Sequence, residues 1–364
     1  MTSRNKTHKL HFQVPPRWTY LPEYPGIYSG WEGSAWVYLQ MGLKGMIEVS
    51  PSFLRRLDRA LQNASKSYGK VSHSGAFIGP GGAYIVATMA GEFDSRFRAF
   101  QKPLLGIWKK KKTVHYDNDL NMGHAGTLIC MAELIDLVPG WTPSYSFLEK
   151  CHNSVIETLE AIRKNKKADI FLGFAHGLAG TLLALEISRN RFSFRTPKKL
   201  LDWAFTQIDR EQFPVSNASV WPVSVMSEEI TNNAWCHGAP GIALGLLGCY
   251  RETGRKDYFD LFKKGARGAE QFFSLELPNI CCGLGGAANL FIEAYRATRK
   301  ESWLEKSRKL LPKKPSEGLS PKLYIKEDRN KLFRGIPGAA YTYDRLNDPD
   351  LALPGTGFAG NRKP

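Results

Sequence analysis

The sequence lacks any run of about 18 apolar residues, the length that an α-helix needs to span a membrane. It also lacks an apolar signal region behind its polar first nine residues. Both absences predict a cytoplasmic protein without transmembrane helices. Because the cytosol keeps thiols reduced, the six cysteines are better explained as metal ligands or core residues than as disulfides.

Acidic residues are scarce, since 34 Asp and Glu stand against 50 Lys and Arg and leave a formal net charge of +16. A basic excess of this size favours an acidic partner, such as an acidic peptide or an anionic membrane surface. A solvated basic surface without a partner would have the same composition. No nucleic-acid-binding motif is present, so we expect no nucleic acid among the partners.

Glycine is abundant, and many of the 34 glycines follow a period. The pattern Gly-x-x-Gly, followed by a small or apolar residue and an apolar run, occurs seven times at intervals of 44 to 61 residues. The repeats begin at Gly30, Gly79, Gly123, Gly177, Gly238, Gly283 and Gly335. About 50 residues suit one helical hairpin, so the sequence predicts seven hairpins in tandem.

The two helices of each hairpin differ in their patterns. The run that follows the glycines, such as residues 241–249, is apolar almost all round, which is typical of a buried helix. Intervening segments, such as residues 53–61, are amphipathic and suit an outer layer. We therefore predict an all-α fold, either an open solenoid or a closed ring. One domain is expected over residues 20–360 after an N-terminal extension of residues 1–19, with loops at 188–231 and 312–330.

Three repeats carry Cys or His directly before the first glycine of the pattern. These residues are His176, the pair Cys236 and His237, and the pair Cys281 and Cys282. Because the same turn recurs in each repeat, residues that are distant in sequence would converge there. The three cysteines can supply thiolates and leave a fourth position open, as in catalytic Zn²⁺ sites. Two buried cysteines at a turn, or His237 as the third ligand, are the alternatives.

Three thiolates around one Zn²⁺ would make an electron-rich site. Such a site is poor at polarising water and better at keeping a bound substrate thiol in its nucleophilic thiolate form. The chemistry that follows is thiol alkylation or conjugate addition rather than hydrolysis. A glycosidase is disfavoured because no pair of carboxylates lies at the repeat turns.

Five motifs resemble the LanC-like family of lanthionine cyclases. They are residues 26–33 (GIYSGWEG), 174–180 (FAHGLAG), 235–241 (WCHGAPG), 281–286 (CCGLGG) and 332–338 (LFRGIPG). The resemblance covers about residues 20–355. It implies an α/α toroid, a ring of seven inner and seven outer helices. It also implies a zinc-dependent enzyme that adds a peptide Cys thiol to dehydroalanine or dehydrobutyrine and forms a (methyl)lanthionine thioether.

The resemblance assigns roles to individual residues. Cys236 and Cys281 match the two usual cysteine ligands, and Cys282 stands where the family usually has His, as in a subset of lanthipeptide synthetases. His176 matches a candidate acid/base, and Asp119 an Asp that orients it or, alternatively, caps a helix. His237 is expected beside the metal. An Arg common in bacterial cyclases is replaced by Asn232, so Arg334 or backbone N–H groups would have to stabilise the enolate.

Three functions remain open at this stage. The first is a peptide cyclase whose partners are a dehydrated precursor peptide, with or without an acidic leader, and a separate dehydratase. The second adds a small thiol such as glutathione to dehydroamino acids in proteins. The third is a scaffold that binds a thiol without catalysis. Peripheral membrane contact is compatible with the basic charge in all three cases.

Overall fold

The computed structural model describes residues 10–16, 25–111, 118–227, 230, 233–271 and 277–359. Within them, a helix follows each of the seven glycine turns, and these seven helices form an inner layer. The inner helices are α1 (Trp31–Leu43), α3 (Gly81–Ala90), α5 (His124–Leu137), α7 (Leu178–Arg191), α9 (Ala239–Thr253), α11 (Leu284–Thr298) and α14 (Ile336–Asn347). They are buried along most of their length, as their uniformly apolar sequences predicted.

The outer layer consists of amphipathic helices that alternate with the inner ones along the chain. These are α2 (Pro51–Ser67), α4 (Gln101–Lys109), α6 (Tyr145–Lys164), α8 (Lys198–Arg210), α10 (Lys256–Gln271) and α12 (Glu301–Leu310). A short helix α13 (Pro315–Gly318) and an antiparallel hairpin of β1 (Phe213–Val215) and β2 (Ala218–Val220) complete the elements that concern the site. No described helix is long and apolar enough to cross a membrane.

Local sequence explains how an outer helix starts and which face it buries. Helix α2 begins at Pro51, whose fixed φ suits a first helical turn. The Ser50 hydroxyl accepts a hydrogen bond from the Phe53 N–H at 3.2 Å and caps the helix. Phe53, Leu57 and Leu61, spaced four residues apart, are buried on one face. The prediction of an amphipathic outer layer is therefore confirmed here.

The predicted loop at residues 188–231 is wrong in part. That segment contains the end of α7, all of α8 and the β1–β2 hairpin. Its Pro and charged residues obscured a helical period in which Leu200, Leu201, Ala204 and Ile208 are buried. Residues 312–330, in contrast, hold only α13 and a three-residue 3₁₀ turn, as expected of a loop.

The inner helices close into a ring, so the toroid is confirmed over the open solenoid. Each inner helix packs against the next in chain order. The first and last repeats then meet at Gln40 of α1, whose Oε1 accepts hydrogen bonds from the Ala352 N–H at 2.8 Å and the Tyr341 hydroxyl at 3.1 Å. The Gln40 side-chain amide donates to the Ala352 carbonyl at 3.3 Å.

The last inner helix, α14, is covered differently from the others within the described residues. His11 and Phe12, from a segment without helix or strand, lie against it. The His11 and Phe12 N–H groups both donate to the Asp344 carboxylate at 2.7 Å. The boundaries of the predicted domain, 20–360, remain a prediction, although this contact joins the N-terminal extension to the ring.

Closure of the ring can be tested at Gln40. Replacement of Gln40 with alanine is expected to destabilise the protein by about 1–3 kcal/mol, because it removes the acceptor of the buried Ala352 N–H, whereas the Tyr341 hydroxyl still donates to the Ala352 carbonyl. Gln62 is a matched control, since its amide bonds only to Asp58 on the exposed face of α2. Urea unfolding of both variants measures the difference. An equal loss of unfolding free energy in the two variants would contradict the role of Gln40 in closing the ring.

The interior of the ring is filled at the end remote from the glycine turns. Residues 351–359 are buried there, and the Glu133 carboxylate accepts hydrogen bonds from the N–H groups of Gly355, Thr356 and Gly357 at 2.8 to 3.0 Å. The Arg251 guanidinium lies over the Phe358 ring, with its Cζ atom 3.8 Å from the ring centroid. The C-terminal segment thus occupies this end, and the opposite end carries the turns with their Cys and His residues.

Candidate functional site

The loops before the inner helices are joined to one another by backbone hydrogen bonds that run around the ring. Donor and acceptor pairs are Tyr28 to Phe77, Ile78 to Asn121, Leu120 to Ala175, Ala175 to Cys236, Trp235 to Cys281, and Cys281 to Phe333, at 2.8 to 3.1 Å. Stacking of the Tyr28 and Phe333 rings, with centroids 5.2 Å apart, connects the last loop to the first. This chain of contacts explains why residues from different repeats converge.

Aromatic side chains fill the centre of this chain of loops. Trp235 packs against Phe333 with ring centroids 4.7 Å apart and against Phe174 at 5.6 Å. Phe77 contacts Phe333 edge-on at 5.5 Å. Side chains of this size give a rigid, buried support. The axis beneath the loops is therefore packed rather than hollow, and the polar site lies above it.

Three cysteine sulfurs meet beside the aromatic centre. The Sγ atoms of Cys236, Cys281 and Cys282 all lie within 4.8 Å of one another, and those of Cys281 and Cys282 are 3.4 Å apart. The first two cysteines are buried and Cys282 is half-buried. The backbone bond from Trp235 to Cys281 holds the two loops at this spacing. The structure thus brings together the three residues that the sequence predicted as metal ligands.

The geometry of the three sulfurs fits a Zn²⁺ ion. Zn–S bonds of about 2.3 Å in a tetrahedron place sulfurs about 3.8 Å apart, and small movements would reach that spacing. The donor set is all sulfur, which suits Zn²⁺ better than Mg²⁺ or Ca²⁺. A tetrahedral ion with three protein ligands keeps a fourth position for substrate. Among the described residues, the three cysteines form this group without His237.

The three sulfurs are close enough to shift one another's pKa values. Hydrogen bonding with Cys236 and Cys281 holds the pKa of the Cys282 thiol well below its usual range, against the opposing effect of burial. The nearby charge of Arg334 acts in the same direction. Hydrogen bonds with the other two sulfurs, together with burial, raise the pKa of Cys281. The cluster is therefore ready to give up protons in exchange for a cation.

Two of the loops use the same side-chain turn four residues before their glycine. Asp119 Oδ1 accepts a hydrogen bond from the Met122 N–H at 2.8 Å, and Asn279 Oδ1 accepts one from the Cys282 N–H at 2.9 Å. The second bond orients the loop that carries Cys282. Sequence analysis missed Asn279, although an Asp or Asn four residues before Gly123 and Gly283 was a readable signal.

His176 and Asp119 form a hydrogen-bonded pair next to the cluster. His176 Nδ1 lies 2.7 Å from Asp119 Oδ2, so Nε2 is the ring nitrogen that Asp119 does not bind. Burial lowers the pKa of His176, but the hydrogen bond and the charge of Asp119 outweigh it and raise that pKa above its ordinary value. Because its other oxygen holds the Met122 N–H, Asp119 both closes its turn and orients the imidazole.

His237 lies between this pair and the sulfurs. Its ring stacks on His176 with centroids 5.1 Å apart. Burial and the charge of His176 lower the pKa of His237 to about 4, against the attraction of Asp119 and Cys282. His237 is therefore neutral at pH 7, and His176 is the imidazole of the two that gains a proton more readily.

Two further residues border the cysteines. The Tyr28 hydroxyl lies 2.9 Å from the Cys281 sulfur, a contact that sequence analysis missed because Tyr28 belongs to the first repeat. Arg334 pairs with Asp328 at 3.1 Å, is half exposed, and places positive charge near Cys282. Asn232, which stands at the position where the resemblance led us to expect an Arg, lies outside the described residues.

Comparison with known proteins agrees with the fold and the repeat pattern. Residues 22–356 match the family model described as Lanthionine synthetase C-like protein. Among solved structures, the chain is similar to one described as nisin cyclase, with 14% sequence identity and a TM-score of 0.72. That similarity covers 93% of this chain and 91% of the other, and at this identity it shows the fold. Since the family model spans almost the whole sequence, the chain belongs to the lanthionine synthetase C-like protein family.

Proposed function

We propose that this protein adds a peptide cysteine thiol to a dehydroalanine or dehydrobutyrine residue and so forms a (methyl)lanthionine thioether. The observation that carries the proposal is the cluster of three sulfurs within 4.8 Å of one another, next to a His–Asp pair. Membership of the family and likeness to a protein named nisin cyclase support a cyclase.

Cys236, Cys281 and Cys282 would hold a Zn²⁺ ion in this proposal. The ion would bind the substrate thiol at its fourth position and keep it as a thiolate at neutral pH. Cys282 contributes most to this reactivity, because a third thiolate in place of His adds negative charge to the site. The rigid loops around Trp235 keep the three sulfurs in place while substrates exchange.

The addition itself needs one proton transfer from the protein. The substrate sulfur forms a bond to the β-carbon of the dehydro residue, and the electrons of the carbon–carbon double bond move toward the carbonyl as an enolate. His176 then donates its Nε2 proton to the α-carbon, while Asp119 holds Nδ1. The proton that the thiol loses replaces the one that His176 gives, so the reaction is a net addition.

Stabilisation of the enolate is assigned to positive charge at the rim of the site. Arg334 is the cation whose charge reaches Cys282, and it is exposed enough to contact a substrate. Its pairing with Asp328 fixes the guanidinium on the loop before α14. A buried or partly buried cation near a developing oxyanion lowers the barrier by electrostatic stabilisation.

Exposed apolar side chains on the segments that precede three inner helices favour a peptide over a small thiol. Of the eight large apolar side chains that are exposed among the described residues, seven belong to the segments before α7, α9 and α14, and two of these lie on strand β1. They are Phe171, Phe213, Val215, Met226, Ile230, Leu323 and Ile325. These segments also carry His176, Cys236 and Arg334. Glutathione offers little apolar surface for such a rim, whereas a peptide can cover it.

A direct assay uses a peptide that contains one dehydroalanine and one cysteine. Because cyclisation leaves the mass unchanged, we expect it to appear as loss of the thiol that a maleimide would alkylate. A second reaction supplies glutathione and a dehydroalanine peptide without cysteine. Ring formation in the first reaction supports the peptide cyclase, and an adduct in the second alone supports the small-thiol enzyme.

Metal content separates both enzymes from a scaffold. We expect about one zinc per chain in the purified protein, as measured by atomic emission after dialysis. A protein without zinc and without either product would contradict the proposed function.

The acceptor double bond of the substrate comes from dehydration of Ser or Thr. A dehydratase is therefore the class of enzyme that supplies the substrate.

A further inference from the structure

Tyr28, in the loop of the first repeat, contacts the cysteine cluster of the sixth repeat at Cys281. Its hydroxyl lies 2.9 Å from Cys281 Sγ, although the two residues are 253 positions apart in sequence. A tyrosine hydroxyl is a donor at neutral pH, and a sulfur accepts. The separation is within hydrogen-bonding range, so the geometry places a hydrogen bond between the Tyr28 hydroxyl and the Cys281 sulfur.

Tyr28 is held firmly in this position. Its N–H donates to the Phe77 carbonyl at 3.0 Å, and its ring stacks on Phe333 at an interplanar angle of 19°. Phe333 is itself the residue whose carbonyl accepts the Cys281 N–H at 2.9 Å. The hydroxyl and the sulfur are therefore tied to the same neighbour, so their separation does not depend on a mobile side chain.

A hydrogen bond to a ligand sulfur changes what that sulfur does. It favours the thiolate over the thiol and draws negative charge away from it. In a site with three thiolates, the negative charge exceeds that of the cation, and a fourth thiolate from the substrate would increase the excess. A donor on one sulfur offsets part of this excess and keeps that ligand bound while the substrate sulfur enters.

We propose that Tyr28 is a positioning residue, whose hydroxyl holds Cys281 as the fixed ligand of the metal centre. The inference rests on the proposed function, because it concerns the same three sulfurs. It adds the first repeat to a site whose ligands come from the fifth and sixth. Full metal affinity then requires that the first repeat pack against the last, because that packing brings Tyr28 to Cys281.

The test compares full-length wild type with Tyr28→Phe and Tyr343→Phe. The first variant keeps the ring that stacks on Phe333 and loses only the hydroxyl. Tyr343→Phe is the matched control, since it removes a hydroxyl that donates to the Pro312 carbonyl at 3.0 Å. Zinc affinity is measured by competition with a chromophoric chelator, and Co²⁺ replaces zinc for absorption spectra. Thermal unfolding confirms that each variant is folded.

We expect Tyr28→Phe to lose about 10–100-fold in zinc affinity, which is typical when a partner of a metal ligand is removed. The sulfur-to-cobalt absorption band should move to longer wavelength, because a sulfur without its hydrogen bond releases an electron more easily. A merely structural role would leave that band in place. Tyr343→Phe should match wild type in both measurements.

Wild-type affinity and an unmoved band in Tyr28→Phe would overturn the inference while leaving the proposed function intact, provided that wild type binds zinc and cyclises peptide. Failure of wild type to bind zinc would contradict the proposed function instead. A loss of affinity in both tyrosine variants would also overturn the inference, because it would trace the effect to general destabilisation.

Discussion

Replacement of Cys282 with alanine is expected to abolish stoichiometric zinc binding and to lower thioether formation by more than about 100-fold. Loss of a residue that merely supports a ligand costs about 10–100-fold, so loss of a ligand should cost more. Cys282 is also the most exposed of the three cysteines. Zinc content and the rate of thiol loss in the dehydroalanine peptide measure the two effects.

Two variants sharpen this experiment. Cys282→His introduces the ligand that the family usually has at this position, so we expect zinc to be retained and the rate to fall less than in the alanine variant. Cys249→Ala removes a buried cysteine of α9 that lies outside the cluster, and it should keep its zinc. Full zinc and full activity in Cys282→Ala would show that this sulfur is not a ligand.

Replacement of His176 with alanine should lower the rate of addition by about 10²- to 10⁴-fold, the usual contribution of a general acid. Zinc content should stay unchanged, because His176 is outside the group of three sulfurs. Zinc analysis and the peptide assay on the same preparation separate the two roles. An active Ala variant would move the proton transfer to another group, such as solvent.

The pH dependence of the same step follows from the His–Asp pair. Asp119 raises the pKa of His176 above its ordinary value despite burial, so the protonated acid is present below that pKa and is lost as pH rises through it. Activity should therefore decline on the alkaline side. Asp119→Asn removes the charge that supports the imidazolium, and the decline should move to lower pH. An unmoved profile in this variant would argue against His176 as the acid.

Much of the fold followed from local patterns. Seven glycine turns, each before an apolar run, predicted the seven inner helices, because the turn and the apolar run can be recognised within each repeat of about 50 residues. The amphipathic segments of α2 and α10 predicted outer helices for the same reason. The helix α8 was missed since Pro197 and the charged residues around it resemble a loop when no partner surface is visible.

The sequence alone determined the repeat, the layer of the helices that it predicted and the turn on which Cys236, Cys281 and Cys282 lie. These features depend on a few consecutive residues, whose conformations and burial are set by hydrophobic period and turn chemistry. Only the tertiary structure decided that the ring closes, that the sulfurs lie within 4.8 Å of one another, and that Tyr28 contacts Cys281. Such distances depend on the rotations accumulated over successive hairpins, and no local pattern encodes that sum.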